Sequence, residues 1–530
     1  MKKTIKRWWA LALVLVMVCG VCLLFSTRKQ GMFIDEIYTY GLSNSSYHPF
    51  LCTSGDRYGV IEHATVTRQE FLDYVSVNGD EGFDFGSVYY NQVNDVHPPL
   101  YYWLFNIAST FAKGTFSKWT GLILDGLIYL GCVAMLYALV LKLGGGKYNA
   151  AATAVLYGLS TIGLSTMIMI RMYVLLTLLT LVLMYFIADL MERFRPRTCV
   201  FVGLTLLAGL LTQYYFVFYA FFLCAAYVLW ALIKRQYKAL AWFIPCALIG
   251  ALSLLLVFPA ALRQLFSGEL VSGESALDNL KNGALYAVRL RTFGGFARHG
   301  LRAAIYTGLI CIGGLCGIFP RVQNASFDHR FDWKWLVLLV PAYITFVLVA
   351  VISPVGEPRY IYNIMPAFVL TVSFLLYLLE MTLGKKKISD TLRTLVFLAA
   401  ACLALWQART VPPDYLYPEH AEYNRTLEAY ADRPCVMFAA PTAAFMPLTE
   451  DLIQLKIFPE VYVTDQESLA PMLKYLGDAD EAVVYIDTSV FWSSGYDADK
   501  ILGRIRAETD YKQAEELFTT GLSTTYVISK

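Results

Sequence analysis

The chain has 530 residues, 57% hydrophobic and only 16% charged, with a mean hydropathy of +0.51. That balance excludes a soluble globular protein, and no nucleic-acid partner is expected. The formal net charge of +2 hides an asymmetry: residues 411–530 hold 20 acidic and 9 basic side chains, net −11, which leaves +13 for the remainder. A basic membrane part (1–410) and an acidic extracytoplasmic part (411–530) are therefore expected as two domains.

The amino terminus carries Lys2, Lys3, Lys6 and Arg7 before an apolar stretch from Trp8 to Phe25. The stretch is long for a cleaved signal and no small-x-small site follows it, so it reads as an uncleaved anchor. Apolar runs then recur, and the expected spans are 8–25, 119–141, 148–168, 172–190, 199–213, 214–233, 240–262, 303–320, 335–352, 361–379 and 393–410. Lys and Arg concentrate in alternate loops, at Lys142 and Lys147, Arg193 to Arg197, Lys234 to Lys238, Arg321 to Lys334 and Lys385 to Lys387. The positive-inside rule places those loops in the cytoplasm. Arg28 and Lys29 are a local exception. Eleven spans with a cytoplasmic amino terminus put the carboxy-terminal part outside. Two outer loops are long, about 26–118 and 263–302.

Polar groups at membrane depth are costly and usually mark a function. Asp35-Glu36 sits among apolar and aromatic neighbours in the first outer loop. A carboxylate held there can take a proton from an attacking hydroxyl, while a helix cap with a first-turn acid is the plain structural alternative. Asn94-Asp95-Val96-His97-Pro98-Pro99-Leu100-Tyr101-Tyr102-Trp103 starts a helix at its prolines, and its aromatic run suits the headgroup layer. His97 is a candidate for phosphate, hydrogen-bond or metal contact. Arg171, opening Arg171-Met172-Tyr173, and Arg359, opening Arg359-Tyr360, present guanidinium forks that suit phosphate. Snorkelling to the interface, or a pair with Glu357, would equally account for them. The junction at Thr212-Gln213 joins the same face. The second long loop is basic, with Arg263, Lys281, Arg289, Arg291, Arg298 and Arg302. It reads either as a solvated face or as a surface for an anionic headgroup. All of these fall on one face of the bilayer, which points to one active site at a membrane–water boundary.

The carboxy-terminal part alternates β-branched runs, Cys435–Ala439, Val461–Thr464, Ala482–Ile486 and Thr524–Ile528, with helical patterns at 466–477 and 498–508. That is a small α/β domain. No phosphate-binding glycine loop and no internal repeat is visible. Of eleven cysteines, most lie inside apolar helices, where they act as small hydrophobes. Cys52 and Cys435 stand in polar segments and could pair if both are outside.

Together, Asp35-Glu36, His97-Pro98-Pro99-Leu100-Tyr101-Tyr102, Arg171-Met172-Tyr173 and Arg359-Tyr360 with Pro366 resemble glycosyltransferase family 39, the protein O-mannosyltransferases and aminoarabinose transferases. The resemblance covers about residues 1–380. It implies a GT-C-like membrane fold of about eleven helices and inverting transfer of a sugar from a polyprenyl-phosphate donor to a hydroxyl outside the cytoplasmic membrane. By the same resemblance Asp35, with Glu36 beside it, is the catalytic acid pair. His97, Arg171, Arg359 and Tyr360 face the donor phosphate, and Asp95, Tyr101, Gln213 and Arg291 are candidate acceptor or lipid contacts. Some relatives carry a carboxylate where this chain has Met172, so use of a divalent metal stays open. The sugar, and whether the acceptor is protein, lipid or wall glycan, stay open as well. The alternative is a lipid or solute transporter, disfavoured because no repeat is visible and the polar groups gather on one face. A non-catalytic sensor leaves the Asp-Glu and His-Pro-Pro motifs unexplained.

Overall fold

A computed structural model describes residues 2–51, 63–79, 81–266, 278–318, 332–383, 389–489 and 495–530. Cys52, Arg321, Arg330 and Lys385 to Lys387 lie outside the described residues. The chain forms two compact units. The first comprises 1–27, 96–101 and 122–414, and the second 28–95, 102–121 and 415–530.

The first unit is helical. Among the described residues, eight helices are long and apolar enough to cross a membrane: Trp8–Arg28, Lys118–Lys142, Tyr173–Glu192, Phe216–Ile233, Tyr237–Val257, Lys334–Ile352, Pro358–Thr382 and Asp390–Thr410. Two bent pairs bring the count to ten, and the shorter Pro196–Leu210 occupies the place of the expected span 199–213. This is a multi-pass membrane protein. One expected span, 148–168, is broken. Lys147–Gly158 and Thr161–Ile168 meet at 59°, because Ser160 caps the second helix with its hydroxyl on the Gly163 amide at 3.1 Å. The other pair, Gly283–Gly300 and Arg302–Cys316, bends by 86°, so the expected loop 263–302 carries a helix of its own.

Helix packing here relies on small residues, as it must where lipid offers no hydrophobic drive between helices. A Cβ on Gly203 would lie 2.5 Å from the Cys246 carbonyl, and one on Gly250 would lie 2.2 Å from that of Gly203. The helices Pro196–Leu210 and Tyr237–Val257 therefore touch backbone to backbone.

Polar contacts gather at the two ends of Tyr173–Glu192. Near its carboxy end Lys142 reaches Asp189 at 2.5 Å and Glu192 at 2.7 Å, and Arg195 approaches Asp189 at 3.7 Å. Residues of two expected cytoplasmic loops thus meet. Arg171 precedes the other end, about 27 Å away at 1.5 Å rise per residue.

The second unit is built on a six-stranded sheet in the order β1-β3-β2-β4-β6-β5. Its strands are β1 (Ala64–Thr67), β2 (Cys435–Phe438), β3 (Glu460–Thr464), β4 (Glu481–Asp487), β5 (Gln513–Thr519) and β6 (Ser523–Ser529). The centre, β3-β2-β4, is parallel, with Cys435 opposite Val461 on one side and Val483 on the other. β1, β5 and β6 add on antiparallel. The helices Ala470–Leu476 and Ala498–Glu508 bury Met472, Leu476, Ile501, Leu502 and Ile505 on a core shared with Val436, Phe438, Val484 and Ile486. Cys435 is a buried free thiol in β2. Expected strands and structure agree for β2, β3, β4 and β6. β1 and β5 were not anticipated, and both are edges, where polar side chains such as Glu515 and Glu516 mask the pattern.

Candidate active site

The candidate residues fall into two groups, one in each unit. In the helical unit, Pro98 and Pro99 fix an extended entry and Leu100–Thr110 begins directly after them. The Leu100 amide donates to the Leu211 carbonyl at 2.9 Å, which ties this turn to the Thr212-Gln213 junction. Arg171 occupies the gap between Thr161–Ile168 and Tyr173–Glu192 and is only 2% exposed. Its Nη2 lies 3.5 Å from His97 Nδ1. Residues 74 positions apart are thus brought into contact, and both offer donors to an anion.

Arg359 and Tyr360 open a 3-10 turn, Pro358–Ile364, in which the proline stands at the first position. This turn packs on Tyr173–Glu192. Tyr362 meets the Tyr173 ring edge-on at 6.1 Å, and Tyr360 meets Tyr215 at 5.2 Å. The Arg359 guanidinium lies 5.6 Å from the Tyr360 ring centre. Upstream, Arg289 donates to the Ser353 carbonyl and to Asn279 Oδ1 at 3.1 Å, holding the end of Lys334–Ile352. Among the candidate contacts, Gln213 is buried and Arg291 is exposed on Tyr286–Gly300. Tyr101 is fully buried, its hydroxyl donating to Asp125 at 2.8 Å.

In the second unit, Asp35 and Glu36 stand in the first turn of Ile34–Asn44. Anions are favoured there by the unpaired amides and the positive helix end. The two neighbours are treated differently. Asp35 is half-buried, whereas Glu36 is 0% exposed. Glu36 Oε2 accepts the Phe33 amide at 2.7 Å and the Lys29 ammonium at 2.9 Å. Lys29 is also 0% exposed, and burial lowers its proton affinity while Glu36 opposes that shift.

Further acids surround the Asp35 helix. Phe445–Glu450 packs on Ile34–Asn44, with the Phe50 ring between Tyr38 (6.1 Å) and Phe445 (5.3 Å). Burial raises the Tyr38 hydroxyl's pKa, with negative charge on Asp95, Asp35 and Glu450 adding to the effect and a bond to Thr449 opposing it. Glu450 is pushed up to about 8 by burial and then by Asp451 and Asp35. Asp451 rises to about 7 through burial, against hydroxyl bonds from Ser523 and Thr520. Asp95, Asp35 and Glu450 thus share one electrostatic neighbourhood. Among the described residues no group of three or more His, Cys, Asp or Glu is arranged to hold a metal ion.

Sequence reasoning missed Lys29, Asp125, Glu450 and Asp451. Lys29 left a trace as an exception to the positive-inside rule, and Asp125 as an acid inside an apolar run. Glu450 and Asp451 gave no signal, since the acids of 411–530 read as solvated surface.

No family model and no curated protein matches the chain by sequence. Among solved structures it is similar to ArnT from Cupriavidus metallidurans, which was crystallised bound to undecaprenyl phosphate. That likeness has 12% identity and a TM-score of 0.51, and covers 97% of each chain. It also aligns with the arabinofuranosyltransferase AftD from Mycobacteria at 14% identity and TM-score 0.43, over 97% of this chain and 40% of that one. The arabinosyltransferase EmbB from Mycobacterium smegmatis aligns at 13% identity and TM-score 0.34, over 92% and 45%. The likeness to ArnT runs through both units, and the chain has the GT-C-like fold that its motifs implied.

Proposed function

We propose that the protein is a membrane glycosyltransferase that moves a sugar from a polyprenyl-phosphate donor to a hydroxyl acceptor, with inversion, on the outer face of the cytoplasmic membrane. Asp35 is the base. It takes the proton of the acceptor hydroxyl as that oxygen attacks the anomeric carbon. The bond from that carbon to the phosphate oxygen breaks, and its electron pair leaves on the polyprenyl phosphate. Negative charge grows on the leaving phosphate, where His97, Arg171 and Arg359 supply donors and positive charge. Preorganised donors of this kind are typically worth a few kcal/mol each. Tyr360 lines the same phosphate group. Asp95, Tyr101, Gln213 and Arg291 are assigned to the surroundings of acceptor and lipid, with the burial of Tyr101 and Gln213 favouring an indirect part for those two.

The observation that carries this reading is the contact of His97 with the buried Arg171, in a chain whose fold matches that of a protein crystallised with undecaprenyl phosphate. Arg171 and His97 both carry N–H donors that suit a phosphate oxygen.

The test is mass spectrometry of envelope glycans from cells with and without the gene, then from cells carrying variants at normal expression. Asp35→Asn is expected to reduce product by about 10²–10⁴-fold, the usual worth of a positioned base. Arg171→Ala and Arg359→Ala are each expected to cost about 10²-fold or more. Unchanged product in Asp35→Asn and Arg359→Ala together would overturn the assignment.

A further inference from the structure

The turn leading into the Asp35 helix is held by a fully buried ion pair. Lys29 and Glu36 are both 0% exposed, with Nζ to Oε2 at 2.9 Å. Taking two charges out of water is costly, and a well-packed apolar pair of similar volume is often as stable. Stability alone therefore does not account for it. The pair is the centre of a wider set of bonds. Lys29 Nζ also donates to the Tyr415 carbonyl at 2.6 Å and lies 5.8 Å from the centre of the Tyr417 ring. The Gln30 amide donates to the Leu416 carbonyl at 2.7 Å, and the Lys118 ammonium donates to the Lys29 carbonyl. Gly31 lies so close to this segment that a Cβ there would stand 2.6 Å from the His420 ring and 2.8 Å from Tyr417 Cβ. Residues 29–31 are thus clamped to 415–420. Through Glu36 the clamp extends to the Phe33 amide at 2.7 Å and so to the first turn of the helix.

We propose that Lys29 and Glu36 form a positioning clasp for Asp35, and that Glu36 acts through the place it gives Asp35 and not by exchanging a proton with substrate. This rests on Asp35 being the base. Successive helix residues point about 100° apart. Glu36 is turned inward to the Lys29 ammonium and the Phe33 amide, while its neighbour Asp35 keeps part of its surface open. An acid with no exposed surface, whose Oε2 is committed to an ammonium and an amide, is poorly placed to receive an acceptor hydroxyl. A base must be held to within a fraction of an ångström, and a displacement of about 1 Å can cost 10²-fold. The clasp supplies that hold from residues 415–420, which follow the last long apolar helix in the chain.

The clasp makes a prediction that a catalytic Glu36 does not. Lys29→Met or Glu36→Leu alone leaves one charge buried and unpaired, whereas Lys29→Met with Glu36→Leu leaves none. The full-length variants are compared by envelope-glycan product in cells, and by amide hydrogen exchange over residues 33–40 in detergent. Each single substitution is expected to lower product about 100-fold and to speed exchange in that segment. The double variant is expected to regain most of both. A double variant that exchanges like the parent protein yet makes no product would show that the Glu36 carboxylate itself is needed, and the clasp would fall. Full product from both single variants would overturn it too. If the apolar pair does not fold, Lys29→Met with Glu36→Gln, which keeps an acceptor for the Phe33 amide, is read by the same two criteria. Full product in Asp35→Asn would sink the choice of base, while the exchange results would still report on the clasp.

Discussion

Lys29 stands on the expected outer flank of the first helix, where a basic residue runs against the topology signal. Its burial against Glu36 explains the exception, because its charge is answered within the protein and not by the membrane potential or lipid. Glu450 offers a second test at this scale. Its pKa rises from 4.5 to about 8, so between those values the folded protein holds a proton that the unfolded chain releases. Stability must then fall as pH rises through that window. Asp451, raised to about 7, acts in the same direction. Glu450→Gln removes the penalty. The variant should melt at the same temperature as the parent protein near pH 4 and above it at pH 9. A difference that stays constant with pH would show that Glu450 is ionised throughout. Tyr38, Asp35, Glu36 and Asp451 are the titratable groups around it, so the same scan on Asp451→Asn separates the two acids.

At the scale of elements, legibility followed burial. β2, β3 and β4 are buried along almost their whole length and read as unbroken apolar runs. The edges β1 and β5 carry solvent-facing polar residues and left no pattern. The break at Ser160 was equally hidden, since hydropathy reports how apolar a stretch is and not whether its axis turns. Small residues at helix crossings yield a sharper prediction. Gly250→Val places a side chain where the Gly203 backbone already stands. It should destabilise the helical unit by about 1–3 kcal/mol through overpacking, read as a lower melting temperature in detergent. In the second unit, Thr67 caps Arg68–Val75, its hydroxyl accepting the Glu70 amide at 3.2 Å while Glu70 reaches back to the Thr67 amide at 2.7 Å. Thr67→Ala should cost about 1 kcal/mol in thermal unfolding.

For the molecule as a whole, the helical unit keeps its two polar ends apart. Lys142, Arg195, Asp189 and Glu192 meet at one end of Tyr173–Glu192, while Arg171 and His97 meet beyond the other. The loop assignment from Lys and Arg counts requires this grouping, because loops on one side of a bilayer can touch only each other. The same counts predict that alkaline phosphatase fused after Lys530 is active in a bacterial host and that a fusion after Lys147 is silent. The reverse pattern would invert the proposed sidedness and place the transfer reaction in the cytosol.

The sequence alone determined that this is a membrane protein of about eleven apolar helices with a small α/β unit, because hydropathy and β-branched runs are local properties and burial enforces them locally. It also singled out Asp35, His97, Arg171 and Arg359 as candidates, because ionisable groups in apolar surroundings are costly. Only the tertiary structure decided who meets whom. His97 finds Arg171 across 74 residues, and Lys29 finds Tyr415 across 386. It separated Asp35 from its neighbour Glu36 by leaving one half-buried and giving the other a buried cation. Such pairings depend on closing long loops and on the direction in which each side chain points, and neither is written in the period of a local pattern.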